Sequence, residues 1–335
     1  MVDVIRTESL SKTYGDGTAA VRDVNLNVRR GEIFGFLGPN GAGKTTTISI
    51  LTTVLRSTNG YAEIDGIDVD RHPDRIRRKI GLVFQKSSAD ETLTGRENLE
   101  IAAGLYGLAP AESRSRIREI LGRLDLTEAA DRLVRGYSGG MRRRLEIAAG
   151  IIHSPEILFL DEPTLGLDPQ GRAQFWEYIR DLRAHQQMTV FLTTHYLDEA
   201  DQLSDRISII DHGSILRTGT PAELKDALGG GVVDLRTHGD GPEVAQALGR
   251  LDGVVVIDRL GNDGVYRLGV RHLASVVPSI VRACDAAGIG LDGLSTRSPT
   301  LEEVFLTMTG RPVRDMEGPT PNGPPHESGA PAGGR

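Results

Sequence analysis

The residues best equipped for chemistry in this chain fall into three short runs. The first, Gly38-Pro39-Asn40-Gly41-Ala42-Gly43-Lys44-Thr45, fits the phosphate-binding loop pattern at every position and opens a helix carrying Ile48, Leu51 and Leu55 on one face. Its glycines let backbone N–H groups curl around phosphate oxygens, and the helix N-terminus adds a favourable dipole. Lys44 is the cation that neutralises terminal phosphates, and the Thr45 hydroxyl is placed to bind Mg²⁺. The second run is Ile157–Leu160 followed by Asp161 and Glu162. A carboxylate at the end of a buried strand holds Mg²⁺ directly or through water. A second one beside it takes a proton from attacking water, a contribution of typically ~10²–10⁴-fold in rate. The third run, Tyr137-Ser138-Gly139-Gly140-Met141, lies between them as a Ser-Gly-Gly turn opening a helix. It has no evident task in a nucleotide site built from the other two.

The elements that must position these residues are buried strands. Apolar runs at Glu32–Leu37, Gly81–Phe84, Ile157–Leu160 and Thr189–Thr194 predict strands covered on both faces. Each is followed at once by a polar or glycine element: the loop at Gly38, then Gln85, Asp161 and His195. Ligands of open α/β sheets sit beyond the carboxyl ends of parallel strands, so these followers fall where one site needs them. Alternation in Val24-Leu26-Val28 predicts an earlier, half-exposed strand. Between Gln85 and Tyr137 the spacing of Ile117, Ile120, Leu121 and Leu124 is helical. This helical insertion, about residues 86–150, is a candidate partner surface.

The chain changes character at Gly229-Gly230-Gly231, a linker signal. Beyond it the pattern predicts strand Val232–Thr237, helix Pro242–Leu251, strand Val254–Leu260, strand Val265–Arg271, helix Leu273–Ala287 and strand Ile289–Thr296, closed by a helix Thr300–Thr309. The order βαββαβ is that of a small ferredoxin-like unit. The expected division is therefore an α/β domain over 1–228, an accessory α/β domain over 229–310, and a tail over 311–335. In the tail 11 of 25 residues are Pro or Gly, which predicts disorder.

Composition bounds the function. The 335 residues are 39% hydrophobic and 25% charged, with a net charge of -7, an ordinary globular profile without the basic excess of a nucleic-acid binder. No apolar run approaches the roughly 20 residues that span a bilayer. The N-terminus lacks the basic-then-apolar layout of a secretion signal. Cys284 is the only cysteine, so no intramolecular disulfide forms and a reducing cytosol is the simplest expectation. The eight histidines show no zinc-ligand spacing.

Taken in order, Tyr14, Gly38–Thr45, Gln85, Ser138-Gly139-Gly140, Asp161-Glu162, Gly166-Leu167-Asp168 and His195 resemble the motifs of ATP-binding-cassette (ABC) ATP-binding subunits. The resemblance covers residues 4 to about 222. It implies a P-loop ABC ATPase domain with ATP and Mg²⁺ as cofactors. By that resemblance Tyr14 stacks on adenine, worth about 1–3 kcal/mol in comparable sites. Gly38 to Thr46 cradle the nucleotide, with Thr46 extending the loop. Thr45, Gln85 and Asp161 serve the metal, Gln85 also reporting to a membrane partner. Glu162, His195 and Gln85 form the catalytic group, His195 bonding the γ-phosphate. Ser138, Gly139 and Gly140 touch ATP held by a second subunit, and Asp168 crosses that interface.

Tyr137 and Met141 depart from the commonest signature ends, and Arg142, Arg143 and Arg144 follow. Two readings of the arginines stand open, an anion offsetting them or a solvated basic face. The pentapeptide with its arginines, and Ser298–Phe305 near the C-terminus, resemble the drug-exporting, daunorubicin-resistance-like branch. The expectation is a homodimer with two competent sites. It would sit on the cytoplasmic face of the membrane and drive a permease encoded by another chain to export a hydrophobic drug or lipid, with no nucleic-acid partner. The competing expectations are a soluble ABC ATPase acting on ribosomes or nucleic acid, and a P-loop kinase.

Overall fold

The computed structural model describes residues 2–310 apart from 86, 228–229, 239–241 and 262–263. The expected tail, 311–335, lies outside the described residues. Among the described residues, three sheets organise the fold. The first is antiparallel and pairs β1 (Asp3–Thr13), β2 (Ala19–Arg29), β4 (Asn59–Ile64) and β5 (Ile67–Asp68) in the order β2-β1-β4-β5. In β2 the alternation is clean, with Val24, Leu26 and Val28 buried and Asn25 and Asn27 exposed. The partner strand β1 was not legible from periodicity. A register shift between Thr7 and Leu10, with Ser9 at φ 48°, breaks its period of two.

The central sheet holds β3 (Ile33–Leu37), β6 (Ile80–Val83), β7 (Ile157–Asp161), β8 (Thr189–Thr194), β9 (Arg206–Asp211) and β10 (Ser214–Gly219), ordered β10-β9-β3-β8-β7-β6. All neighbours are parallel except the edge pair β9 and β10. Successive residues of β7 and β8 serve opposite faces, which is why these strands read as continuous apolar runs. Phe159 and Phe191 join Phe34 and Phe36 on the face covered by helix α1 (Lys44–Leu51) and the first sheet. Leu158, Leu160, Val190 and Leu192 join the other face. Phe191 is the hub of the aromatic layer, with ring centroids 5.5–5.6 Å from those of Phe34, Phe36 and Phe159. Burying each such ring contributes about 1.5–3 kcal/mol.

Helix α2 (Pro73–Lys79) leads into β6. The other face of the central sheet is covered by helices: α3 (Gly95–Leu105), α4 (Pro110–Arg123), α5 (Gly139–Ile151) and α6 (Pro169–Gln186). Ile117, Ile120 and Leu121 of α4, with Leu124 just past it, face this core. Thr94 and Glu97 close a capping box at the start of α3. Helix α7 (Leu197–Leu203) packs against β3 and β8, and helix α8 (Pro221–Asp226) against β10.

Past residue 230 come β11 (Gly231–Thr237), α9 (Pro242–Gly249), β12 (Val254–Arg259), β13 (Val265–Val270), α10 (Leu273–Ala286), β14 (Leu291–Arg297) and α11 (Leu301–Thr309). The third sheet is antiparallel in the order β12-β13-β11-β14. Two described residues of the glycine run are packed rather than a free linker. Gly230 N donates to Arg271 O at 3.1 Å, and a Cβ on Gly231 would lie 2.2 Å from Leu273. Glycine is used there for close approach of chain segments. Helix α11 leaves the third sheet and docks on elements that precede residue 230. Its Leu301, Val304 and Phe305 share a core with Leu37, Ala200, Ile207, Ile209 and Leu224. Glu303 of the same helix pairs with Arg297 and stands 3.5 Å from Arg267. No helix among the described residues is long and apolar enough to cross a membrane.

Candidate functional site

Because β3, β8, β7 and β6 are adjacent and parallel, their carboxyl ends share one edge of the sheet. The segments that follow deliver Gly38–Thr45, His195, Asp161-Glu162 and Gln85 to that edge. The loop is shaped by close approaches. A Cβ on Gly38 would stand 2.3 Å from Ile210 O. One on Gly43, which caps α1 at φ 104°, would stand 2.4 Å from Ala20 O. Only glycine fits either position. Lys44 is buried, and its ammonium donates to Gly38 O at 2.8 Å and Pro39 O at 3.0 Å. Burial lowers its pKa, opposed by the Glu162 carboxylate 3.1 Å away.

Asp161 and Glu162 turn to different partners. Asp161 Oδ1 accepts from Thr193 Oγ1 at 2.6 Å and from Thr45 Oγ1 at 3.3 Å. Glu162 has a left-handed backbone, φ 45°, and its N–H donates to Thr193 Oγ1 at 3.1 Å. Its side chain, 8% exposed, receives Gln85 Nε2 at 3.2 Å on Oε2. Oε1 faces Lys44 and lies 3.4 Å from His195 Nδ1. Burial alone would raise the Glu162 pKa, but His195 and the charge of Lys44 outweigh it, and the carboxyl titrates below the usual glutamate range. The group therefore stays ionised at neutral pH, as a proton acceptor must.

Tyr14 stands at the rim, partly exposed, with Oη 3.2 Å from Thr46 Oγ1 and Lys12 Nζ 5.7 Å from the ring centre. A cleft lined by Ala20, Asn40, Gly41, Gly43, Lys44, Thr45, Thr46, Gln85 and Glu162 opens beside it. Ala42, buried under the loop, donates its N–H to Pro39 O at 3.2 Å. Ser138, Gly139, Gly140 and Asp168 are elsewhere. They line a second cleft with Arg144, Gly166, Leu167, Gln170, Gly171 and Gln174, and the two clefts share no residue. Ser138 caps α5 by accepting from Met141 N at 3.2 Å, and Asp168 caps α6 by accepting from Gly171 N at 2.7 Å. Both caps present helix N-termini to the same opening.

Each arginine of the run has a partner within its own subunit. Arg142 pairs with Glu91 at 2.8 Å, and Arg144 donates to Leu124 O and Tyr178 Oη at 3.1 and 3.0 Å. Arg143 is buried and donates to Pro163 O at 2.6 Å and Phe84 O at 2.7 Å. Each of the three thus bonds within its own subunit, while Arg142 Nε is buried without a partner among the described residues and Arg144 also lines the Ser138 cleft. Sequence reasoning also missed Thr193, which holds both Asp161, the last residue of β7, and Glu162 just past it. Its one signal was a threonine pair, Thr193-Thr194, ending an apolar strand beside His195.

A phosphate loop whose lysine meets a strand-end carboxylate pair, on a parallel sheet covered by helices, defines a P-loop nucleotide hydrolase. Comparison narrows the class. A family model described as ABC transporter matches residues 21–165. The daunorubicin/doxorubicin resistance ATP-binding protein DrrA of Streptomyces peucetius is 45% identical over 320 residues, covering 93% of this chain and 94% of the relative. Among solved structures, cbiO1 of Clostridium perfringens, part of the ABC transporter complex cbiONQ, matches with TM-score 0.63 and 28% identity, covering 68% of this chain and 94% of that one. A dimeric ATP-binding cassette in a post-hydrolysis state, bound to ADP and Pi, matches with TM-score 0.59 and 29% identity, covering 64% and 98%. The chain belongs to the ABC transporter family as an ATP-binding, ATP-hydrolysing subunit. The ribosome or nucleic-acid alternative finds no support among these matches.

Proposed function

We propose that this chain powers export of a hydrophobic drug or lipid through a separate integral-membrane permease, acting as one of two identical subunits that sandwich two ATP molecules. The observation that carries the reading is the division of labour between two clefts. One gathers Lys44, Thr45, Gln85 and Glu162, and the other presents Ser138, Gly139, Gly140 and Asp168 at a separate opening that shares no residue with the first. The likeness to a dimeric cassette supports the pairing of subunits. The relative that confers daunorubicin and doxorubicin resistance supports the substrate class.

In this reading Tyr14 stacks on adenine, and Gly38, Pro39, Asn40, Gly41, Ala42, Gly43, Lys44, Thr45 and Thr46 hold the phosphates. Thr45, Asp161 and Gln85 fit Mg²⁺. The Thr45 hydroxyl and Asp161 carboxylate face each other, and no cluster of three or more His, Cys, Asp or Glu exists among the described residues. That oxygen-only donor set suits a hard cation completed by phosphate and water. Bound Mg²⁺ would supply charge neutralisation on the phosphates. Glu162 takes the proton of the attacking water, and Gln85 and His195 hold its carboxylate in place, His195 also reaching for the γ-phosphate.

The cassette spans 1–228 with its helical insertion over about 86–150, and 229–310 form a ferredoxin-like accessory unit. The sheet order β12-β13-β11-β14 supports that last assignment. Exposed Phe84, Ile101, Leu105 and Tyr106, at the end of β6 and along α3, support docking of the permease on the insertion. The subunit then sits peripherally on the cytoplasmic face of the membrane. The deciding experiment is Glu162→Gln. ATP turnover should fall by roughly 10²-fold or more, while ATP binding persists and an ATP-dependent dimer accumulates in size-exclusion chromatography. Undiminished hydrolysis removes Glu162 from the base role.

A further inference from the structure

Arg143 has a place in the site that no motif assigned to it. It lies on α5, the helix opened by Ser138, yet its guanidinium reaches across to the catalytic edge of the sheet. It donates to Pro163 O at 2.6 Å and, more weakly, to Asp161 O at 3.4 Å, the carbonyls on either side of Glu162. It also donates to Phe84 O at 2.7 Å, the carbonyl just before Gln85. Glu146, one turn along α5 and itself buried, holds the guanidinium at 2.5 Å. Arg143 is 7% exposed, so these bonds act away from bulk water and are correspondingly strong. Glu162 keeps a left-handed backbone at φ 45°. For a residue other than glycine such a conformation persists only where the surroundings over-determine it.

From this geometry we infer that Arg143 is a positioning residue for hydrolysis, fixing the main chain on both sides of Glu162 and before Gln85. It touches neither nucleotide nor the reacting atoms. Its effect passes through the aim of the carboxylate and amide that do. Because the same helix begins at Ser138, the signature turn and the subunit's own base are joined by one rigid, planar side chain. A lysine has the charge but not the fork needed to span three carbonyls. The inference rests on the reading of Glu162 as the base.

The test uses the full chain with Arg143→Lys and, as a milder change that keeps the arginine, Glu146→Gln. Steady-state ATPase is measured on the same preparations as equilibrium Mg·ATP binding and thermal melting. Turnover per bound ATP should drop by ~10–100-fold in Arg143→Lys, the range in which small misplacements of a reacting group act. Glu146→Gln should move the same way by less. ATP affinity and binding stoichiometry should stay at the wild-type values in both. Wild-type turnover per bound ATP in both variants overturns the inference. So does a loss of turnover that only tracks lost binding stoichiometry, the mark of a merely structural role. Glu162→Gln run alongside separates the two levels. Wild-type turnover there refutes the assignment of the base, whereas unchanged turnover in the Arg143 and Glu146 variants refutes the positioning role alone.

Discussion

At the scale of single residues, the candidate site depends on side chains that satisfy more than one neighbour at once. Thr193 is an example. Its hydroxyl donates to Asp161 Oδ1 and accepts from the N–H of Glu162. Thr193→Val keeps the shape of the side chain and the bond from Glu162 N–H to Thr193 O, but removes the 2.6 Å bond to a buried carboxylate, at a cost of about 1.5–3 kcal/mol. With Asp161 facing Mg²⁺ as proposed, losing the group that orients it should also lower the apparent Mg²⁺ affinity, by ~10-fold or more. A Mg²⁺ titration of the ATPase, with a urea melt of the same protein, reads both. A Mg²⁺ requirement identical to wild type would count against Asp161 facing the metal. Lys44, Asp161 and Glu162 were legible because their types follow fixed motifs. Thr193 and Arg143 were not, because each bonds to residues far along the chain.

Among elements, the four central strands were the easiest to read, since both faces of each are buried and the apolar run is continuous. The half-exposed β2 announced itself by alternation, while β1 did not, its bulge having shifted the period. In the C-terminal half, strands and helices lie close to where alternation and amphipathic spacing put them. Their destination was another matter. Helix α11 has an ordinary capping box at Thr300 and Glu303, and nothing in its pattern says which surface it covers. In the structure Phe305 is buried against Leu37 and Ile209, so α11 packs beneath the strand that feeds the phosphate loop. Phe305→Ala should cost ~3–5 kcal/mol, read as a lower midpoint in chemical denaturation. The loss should also appear for a probe placed in the cassette. A cassette transition unmoved by this change would mean that α11 and the cassette are energetically independent.

For the whole molecule, the decisive matter is which surface meets which. A two-fold dimer would bring the Ser138 cleft of one subunit over the Lys44 cleft of the other, twice over. Complementation tests this directly. Lys44→Ala and Ser138→Arg proteins should each lack ATPase activity as homodimers. Mixed together they should recover it, because half of the composite sites in a heterodimer contain neither change. No recovery on mixing, with heterodimers demonstrably formed, would put the signature in its own subunit's site and end the sandwich reading.

The residues alone determined the chemistry on offer: phosphate loop, acidic pair, signature turn, and strands apolar enough to be buried on both faces. These are local properties, set by side-chain type and by spacing along a few turns or strands. Only the tertiary structure decided that four strand ends share one edge, that Ser138 opens on a different cleft from Lys44, that the arginines after it are bound within their own subunit, and that α11 returns to the cassette. Those outcomes depend on contacts between residues tens to hundreds of positions apart, where packing and polar satisfaction choose the partner.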